Sequence, residues 1–418
     1  MKILHLNIDD SKGGASIACQ SINSALNSIG VDSSVLVQKK FNVQNKSNEI
    51  AGNWISKFFY FIRFTLDFIS IYLLTVKQRG RFSFPYWGVD ITKHQLVKKA
   101  DVIHLHWING GFISIKTFRK LSKLNKPIVW TLHDMWAFTG GCHYAGTCDN
   151  YKNQCNNCPS LKFSGMNDFS SRIFKNKIEV YKNLNLSIVT CSNWLARCAG
   201  SSRLLNNCNI KVIPNPIDIN LFRPLNKNTY RENLNLPVDK FIILFGTMNL
   251  KDKRKGFSVL IESLSLLYNE FPEIRPKIEI AVFGTLSSQN VTLPFKTNFL
   301  GKINDINKIV ECYNSADVFV APSIEDNLPN TVMESLACGT PVAAFDIGGM
   351  PDMIDHKGNG FLIKGINANE LKTAIKWFID IDESLKKVLS DNARKKVIDN
   401  FNPTKIANSY LKLYQEIL

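Results

Sequence analysis

Short apolar runs that close in a glycine or polar turn and then give way to helical periodicity recur along this chain. In the first half they cover residues 2–8, 33–38, 101–107, 127–132, 186–191 and 211–217. In the second half they cover 241–246, 278–283, 297–300, 317–321 and 341–345. Helical patterns at 15–26, 113–124, 257–267, 306–314, 371–379 and 403–417 fall between or after them. Strand and helix in alternation build parallel sheets covered on both faces, and 418 residues are enough for two full cores. The expected fold is α/β, with two doubly wound Rossmann-like domains facing across a cleft.

Ligands of such sheets gather at the C-terminal ends of the strands, so the residues that follow each run are the candidates. After the first run stand Gly13 and Gly14, an adjacent pair that lets a ligand approach the backbone. The three-glycine spacing of a nicotinamide site is absent. The run at 127–132 ends in His133 and Asp134. The run at 241–246 leads to Lys251, Lys253, Arg254 and Lys255, then to Gly256 and a helical pattern. A diphosphate would dock there on cations and helix amides. The run at 317–321 leads through Asp326, Asn327 and Pro329 to a helix expected over 331–338. Its leading amides, near Asn330 and Thr331, suit phosphate. Glu334 is expected in the first turn, where a carboxylate fits if it accepts from neutral hydroxyls such as those of a ribose. A capping carboxylate is the alternative.

The wording of 321–350, APSIEDNLPNTVMESLACGTPVAAFDIGGM, resembles the retaining glycosyltransferases of family 4, which have the two-domain GT-B fold. There a Pro-Ser precedes an acidic residue, seven residues lead to a second one, and Ala-Cys-Gly-x-Pro-Val follows. The matching positions are Asp326, Glu334 and 337–342. The family's first acid is usually Glu; here Glu325 and Asp326 are adjacent, and only Asp326 has the spacing. The resemblance implies a nucleotide-diphosphate sugar as donor and no catalytic metal. It implies Lys255-Gly256 as the phosphate-binding pair, with Thr247 where the family has Arg and Arg254 as the replacement charge. Gly301 would lie beside the nucleotide base, Glu334 on the ribose, and Gly13-Gly14 over the diphosphate and acceptor. Asp326, Asn327 and His133 would meet the transferred sugar, with Lys255 aiding its departure. The implied domains are 1–213 on the acceptor side, 214–400 for the nucleotide sugar, and a final helix at 401–418 that crosses back to the first.

The insert at 140–160 carries Cys142, Cys148, Cys155 and Cys158 with almost no aliphatic residues. Four thiolates on a structural zinc would fold it, with His143 as a substitute ligand; a reactive dithiol or plain reduced thiols are the other readings. His104 and His106 alternate along one run with no third ligand close in sequence, so no metal is expected there. Among family members such a cysteine-rich insert is associated with bacterial surface-polysaccharide assembly of the colanic acid, O-antigen and lipopolysaccharide type.

The net charge of +16 asks for an anionic partner. Residues 54–76, WISKFFYFIRFTLDFISIYLLTV, make an aromatic helical stretch flanked by Lys77, Arg79 and Arg81. Arg63 and Asp67 interrupt it, so it is no uninterrupted transmembrane span. A basic, aromatic helix can lie in a membrane interface; packing into the domain is the alternative. Peripheral contact with anionic membrane through 54–81 is expected, and nucleic acid is not. The opening MKILHLNIDD has no signal-peptide layout, so a cytoplasmic protein at the inner face of the membrane is expected. The expected activity is retaining hexosyl transfer to a glycan acceptor, polyprenyl-diphosphate-linked. Its rivals are a GT-B sugar-nucleotide epimerase and a non-catalytic basic binding protein.

Overall fold

A computed structural model of the protein describes residues 1–50, 52–76, 82–285 and 292–418. The chain divides into two compact units, Met1–Pro216 with Pro403–Leu418, and Ile217–Asn402.

The first unit is built on a parallel sheet in the order β3-β2-β1-β4-β5-β6-β7. Its strands are β1 (Lys2–Asp9), β2 (Asp32–Lys39), β3 (Asn48–Glu49), β4 (Val102–Leu105), β5 (Ile128–Leu132), β6 (Leu186–Thr190) and β7 (Asn209–Val212). The connecting helices are α1 (Gly14–Ser28), α2 (Trp54–Leu74), α3 (Gln95–Lys99), α4 (Ile115–Leu121), α5 (Phe169–Tyr181) and α6 (Asn193–Ser201). Every residue of β4 and β5 is buried, as expected of strands covered on both faces. The two faces differ in chemistry because side chains alternate. Leu4, Leu6, Ile103, Leu105 and Trp130 enter an apolar core with Phe118 and Tyr181. The opposite face interleaves Ile3, Val102 and Val129 with His5, His104 and Thr131, all buried. Helix α4 starts at Ile115, later than the periodicity suggested, because Ser114 and Thr117 form a capping box there.

Helix α2 is an anomaly. Its one buried residue is Asp67, whose carboxyl burial pushes up to about 7, opposed by a hydrogen bond from the Phe84 backbone. Around it Trp54, Phe58, Phe59, Phe61, Phe68 and Tyr72 are all more than half exposed. The flanking Lys77, Arg79 and Arg81 lie outside the described residues.

The second unit repeats the plan, with β8 (Phe241–Asn249), β9 (Ile278–Thr285), β10 (Thr297–Gly301), β11 (Val318–Ala321), β12 (Val342–Phe345) and β13 (Gly360–Ile363) in the order β10-β9-β8-β11-β12-β13. Its helices are α7 (Lys227–Asn233), α8 (Phe257–Glu270), α9 (Ile306–Ser315), α10 (Asn330–Ala337), α11 (Met350–Met353), α12 (Ala368–Asp380) and α13 (Glu383–Asn400). The sheet order reverses between β8 and β11, the point where doubly wound sheets bind ligands. Strand β8 runs on through Thr247 to Asn249, pairing with Thr285 of β9 across a bulge, where the sequence suggested loop. Helix α13 has no counterpart in the sequence reading. Only Leu389, Ala393 and Val397 of its eighteen residues are buried, a stripe too narrow to stand out.

The last helix, α14 (Pro403–Ile417), returns to the first unit and packs against α1. Ile406, Ala407, Tyr410, Leu413 and Tyr414 form its buried face. The hydroxyls of Tyr414 and Tyr410 reach the polar sheet face, 2.7 Å from His104 Nδ1 and 3.0 Å from Thr131 Oγ1.

Candidate active site

In the second unit the site grows from the turn after β8. Asp252 caps a 3-10 turn of Lys253–Lys255, and Gly256 ends it in the left-handed region at φ +67. A Cβ on Gly256 would lie 1.7 Å from the Pro322 carbonyl oxygen, so only glycine lets this turn close on the loop after β11. Ile324 N donates to the Arg254 carbonyl at 2.7 Å, closing the same seam. Gly348 does the same from the far side: at φ +54, its Cβ would sit 1.7 Å from the Asp326 carbonyl oxygen. The loop at 322–329 is thus held between two glycines.

That clamp sets the chemistry. Lys255 Nζ lies 2.6 Å from Asp326 Oδ2, and Ser323 Oγ donates to the same oxygen at 3.3 Å. Asp326 and Asn327 are both buried. The Arg254 guanidinium reaches back to Asp252 at 2.7 Å. Helix α10 begins at Asn330, with Thr331 next, and no side chain caps its leading amides. The helix starts one residue earlier than expected, because Pro329 is its N-cap. Glu334 is therefore its fifth residue, in the second turn and not the first. There it takes a hydrogen bond from the Tyr313 hydroxyl of α9 at 2.9 Å. Burial pushes the Glu334 carboxyl up to about 7, against the pull of that hydroxyl. Gly301 ends β10 at φ +69, with open space where a Cβ would point.

In the first unit Gly13 caps α1 at φ +92 and Gly14 begins the helix. Asp9 shapes the loop before them: its Oδ1 accepts from Ser11 N, Lys12 N and Ser16 Oγ. His133 follows β5 with its Nε2 3.1 Å from His106 Nδ1 and its Nδ1 3.8 Å from Cys191 Sγ. Burial lowers its pKa to about 4, with Asp134 opposing, so the ring is neutral near pH 7.

The neighbouring Asp134 anchors the cysteine-rich insert. Its Oδ2 lies 2.6 Å from His143 Nδ1 and accepts from Trp107 Nε1 at 3.0 Å. His143 Nε2 lies 2.9 Å from Ser83 Oγ. Acid, imidazole and hydroxyl in this order can activate a serine, but Ser83 is 3% exposed and its N–H is spent on the Gly141 carbonyl. The network ties the insert to the end of β5. Lys177 adds to it from α5, fully buried, donating to the carbonyls of Trp136 and Thr139 with its ammonium 3.6 Å from the Trp136 ring centre.

Burial raises the thiols of Cys142, Cys155 and Cys158 above their ordinary range. Among the described residues, the one group of three His, Cys or carboxylate ligand atoms mutually within 4.8 Å is His5, Cys19 and His106. The four insert cysteines do not form such a group. The sequence reading saw no third ligand near His104 and His106; tertiary structure brings His5 from β1 and Cys19 from α1. Sequence reasoning also missed Ser323, Tyr313 and Gly348; for Gly348 the adjacent pair Gly348-Gly349 was the available signal.

The doubly wound units and their strand-end loops are those of glycosyltransferases of the GT-B type. Residues 13–221 match the family described as Glycosyltransferase Family 4, and residues 226–396 match Glycosyl transferases group 1. The chain belongs to glycosyltransferase family 4. It is 29% identical over 181 residues to D-inositol 3-phosphate glycosyltransferase 2 of Catenulispora acidiphila, covering 40% of this chain and 42% of the relative. It is 25% identical over 291 residues, 67% of each chain, to the putative colanic acid biosynthesis glycosyl transferase WcaC of Escherichia coli K12. The match thus spans about two fifths of the first of these relatives. Among solved structures, Anabaena Alr3699/HepE in complex with UDP-glucose superposes with a TM-score of 0.64 at 16% identity, covering 100% of both chains.

Proposed function

We propose that this glycosyltransferase moves a hexose, with retention, from a nucleotide-diphosphate sugar to a glycan acceptor of bacterial surface-polysaccharide synthesis. The observation that carries the proposal is the Lys255–Asp326 pair at 2.6 Å, clamped by two glycines beside the uncapped start of α10. A lysine on a glycine-pinned turn next to free helix amides is a built anion site. Lys255, with Arg254, carries the charge that develops on the diphosphate as the C1–O bond breaks. The amides of Asn330 and Thr331 share that load. Glu334 accepts from the ribose hydroxyls, and Gly301 leaves backbone open to the base. Asp326 and Asn327 of the second unit are assigned to the sugar; within the first unit, His133 is assigned to the sugar and the Gly13-Gly14 loop to the diphosphate and acceptor. No carboxylate is assigned as nucleophile. The departing phosphate oxygen takes the acceptor hydroxyl's proton as the new C1–O bond forms on the same face, which gives retention. The step as written calls on no metal. UDP-glucose bound to a structural neighbour supports a sugar nucleotide as donor, and the colanic acid relative supports a surface glycan as product.

Two further features belong to the proposal. Among the described residues no helix is long and apolar enough to cross a membrane, yet α2 exposes most of its aromatic residues to water. An anionic bilayer interface is the surface on which such a helix is stable, and it suits a polyprenyl-diphosphate-linked acceptor and a peripheral location at the inner face. A structural zinc on Cys142, Cys148, Cys155 and Cys158 would draw those thiols together.

Incubation of the protein with UDP-, GDP- and ADP-sugars tests the main reading. Slow hydrolysis of one donor, and transfer once a lipid-linked glycan is added, is the expected result. A free epimerised sugar nucleotide would establish the epimerase instead. Salt-sensitive polyanion binding with no turnover would establish a binding protein.

A further inference from the structure

Lys12, Lys39 and Arg63 gather at the C-terminal ends of β1 and β2. Lys12 lies in the loop after β1, Lys39 ends β2, and Arg63 comes from α2. Among the described residues none of the three makes an ion pair. The carboxylates nearby are buried and spent on building the loops. Asp9 Oδ1 accepts from the amides of Ser11 and Lys12, which fixes the loop that carries Lys12. Asp10 Oδ1 accepts from Phe41 N at 2.8 Å, which fixes the turn after β2. The Phe41 ring on that turn is shared: Lys12 Nζ lies 3.6 Å and Lys39 Nζ 4.8 Å from its centre. Lys39 Nζ is also 5.9 Å from the centre of the Tyr60 ring of α2.

Helix α2 presents two faces at this place. Tyr60, Arg63 and Asp67, spaced i, i+3 and i+7, lie on its inward side. The half-buried Arg63 guanidinium donates from Nε to the Gly111 carbonyl at 3.2 Å and from Nη2 to Gln38 Oε1 at 3.4 Å. Gln38 is wholly buried, and its Nε2 has no hydrogen-bond partner. Buried N–H groups seldom go without an acceptor, and a guanidinium holds five donors. This spot is therefore rich in donors and short of an oxyanion. On the outward side Phe58, Phe61 and Phe68 are more than half exposed.

We propose that Arg63, Lys39 and Lys12 bind the diphosphate of the lipid-linked acceptor, while the outward aromatic face of α2 lies against its hydrocarbon chain. Like charges gathered without a counter-ion repel, and a diphosphate reverses that cost. The guanidinium fork suits two phosphate oxygens, and the two ammoniums add point charges. A nucleic acid would supply phosphate but nothing for the exposed phenylalanines. A second copy of a chain of net charge +16 would bring more positive charge. An amphiphile with an anionic head answers both halves of the surface. The proposal rests on the reading of a polyprenyl-diphosphate-linked acceptor and supplies the residues that hold its head.

The test is flotation of the full chain with phosphatidylcholine vesicles doped with farnesyl diphosphate, with farnesol, or with phosphatidylglycerol at matched negative charge. Binding to the diphosphate vesicles is expected to be tighter than to either of the others by roughly tenfold or more. Arg63→Gln should remove that preference, and so should the double variant Lys12→Gln/Lys39→Gln. Arg63 also ties α2 to Gly111, so the lysine pair, whose ammoniums make no hydrogen bond among the described residues, keeps the test sound if Arg63→Gln fails to fold. An unchanged thermal midpoint reports that the lysine variant folds. Equal binding to phosphatidylglycerol at matched charge overturns the proposal in favour of a general anionic bilayer surface. A diphosphate preference that survives in the folded lysine variant also overturns it. So does an oligonucleotide of matched charge that the protein binds as tightly as the diphosphate vesicles. The assay contains no donor, so a diphosphate preference that depends on these residues, in a protein that transfers no sugar, upholds the site and refutes only the transferase reading.

Discussion

Glu334 allows the sharpest prediction, because its proposed service to the ligand opposes the stability of the fold. Burial lifts its carboxyl from 4.5 to about 7. Unfolded, the group titrates near its ordinary value. Between those two pH values the native state keeps a proton that the unfolded chain gives up, so stability falls as pH rises through the window and is level above it. The full difference is about 3 kcal/mol by pH 8. Glu334→Gln keeps an acceptor for the Tyr313 hydroxyl and cannot ionise. The variant should match the wild type near pH 4 and exceed it in urea by about 2–3 kcal/mol at pH 8. The cost should appear in binding. Hydrogen bonds from hydroxyls to a carboxylate are worth about 1.5–3 kcal/mol, so calorimetric titration with UDP at pH 8 should show affinity lower by roughly tenfold or more. Wild-type affinity for UDP should itself weaken as pH drops below about 7. Equal urea midpoints at pH 8 would refute the burial argument. A more stable variant that binds UDP as tightly as the wild type would refute the ribose assignment alone.

Four other outcomes follow from the same geometry. Lys255→Met should lower kcat by roughly a hundredfold or more, since it removes a charge that acts on the leaving group, and retained sugar-transfer rate would refute the assignment. Gly256→Ala must adopt a left-handed residue and displace Pro322, so a loss of about 3 kcal/mol or more is expected by chemical denaturation. Replacing Phe58, Phe61 and Phe68 with Ser should abolish sedimentation with vesicles of anionic lipid while leaving the thermal midpoint unchanged, because all three are more than half exposed. Purified protein should carry about one zinc by elemental analysis if the four cysteines act together, and removal by a chelator should lower the thermal midpoint; a metal-free protein of unchanged stability would exclude that site.

Local pattern made much of this legible. Strands such as β4 and β5 are short and mostly apolar, broken only by His104 and Thr131, because both their faces are covered, so they stand out in one dimension. Asp326 and Glu334 were found by the seven-residue spacing that carries the family resemblance, a pattern written within one short stretch. Helix α13 was invisible, since three buried residues in eighteen leave too weak a periodicity. The first turn of α10 was misplaced by one residue, because Pro329 at the cap sets the start and periodicity does not.

The amino-acid sequence by itself determined the alternation of strand and helix, the cations after β8, and the acidic loop after β11, because each is written in neighbouring residues. Only the tertiary structure decided that Lys255 meets Asp326 through two glycine clamps, that Glu334 turns to Tyr313, and that His5, His106 and His133 line up across three strands. The physical reason is that a parallel sheet sets side by side residues far apart in the chain. The hydrogen bonds that make such residues chemically useful depend on register and burial, which no short stretch of sequence contains.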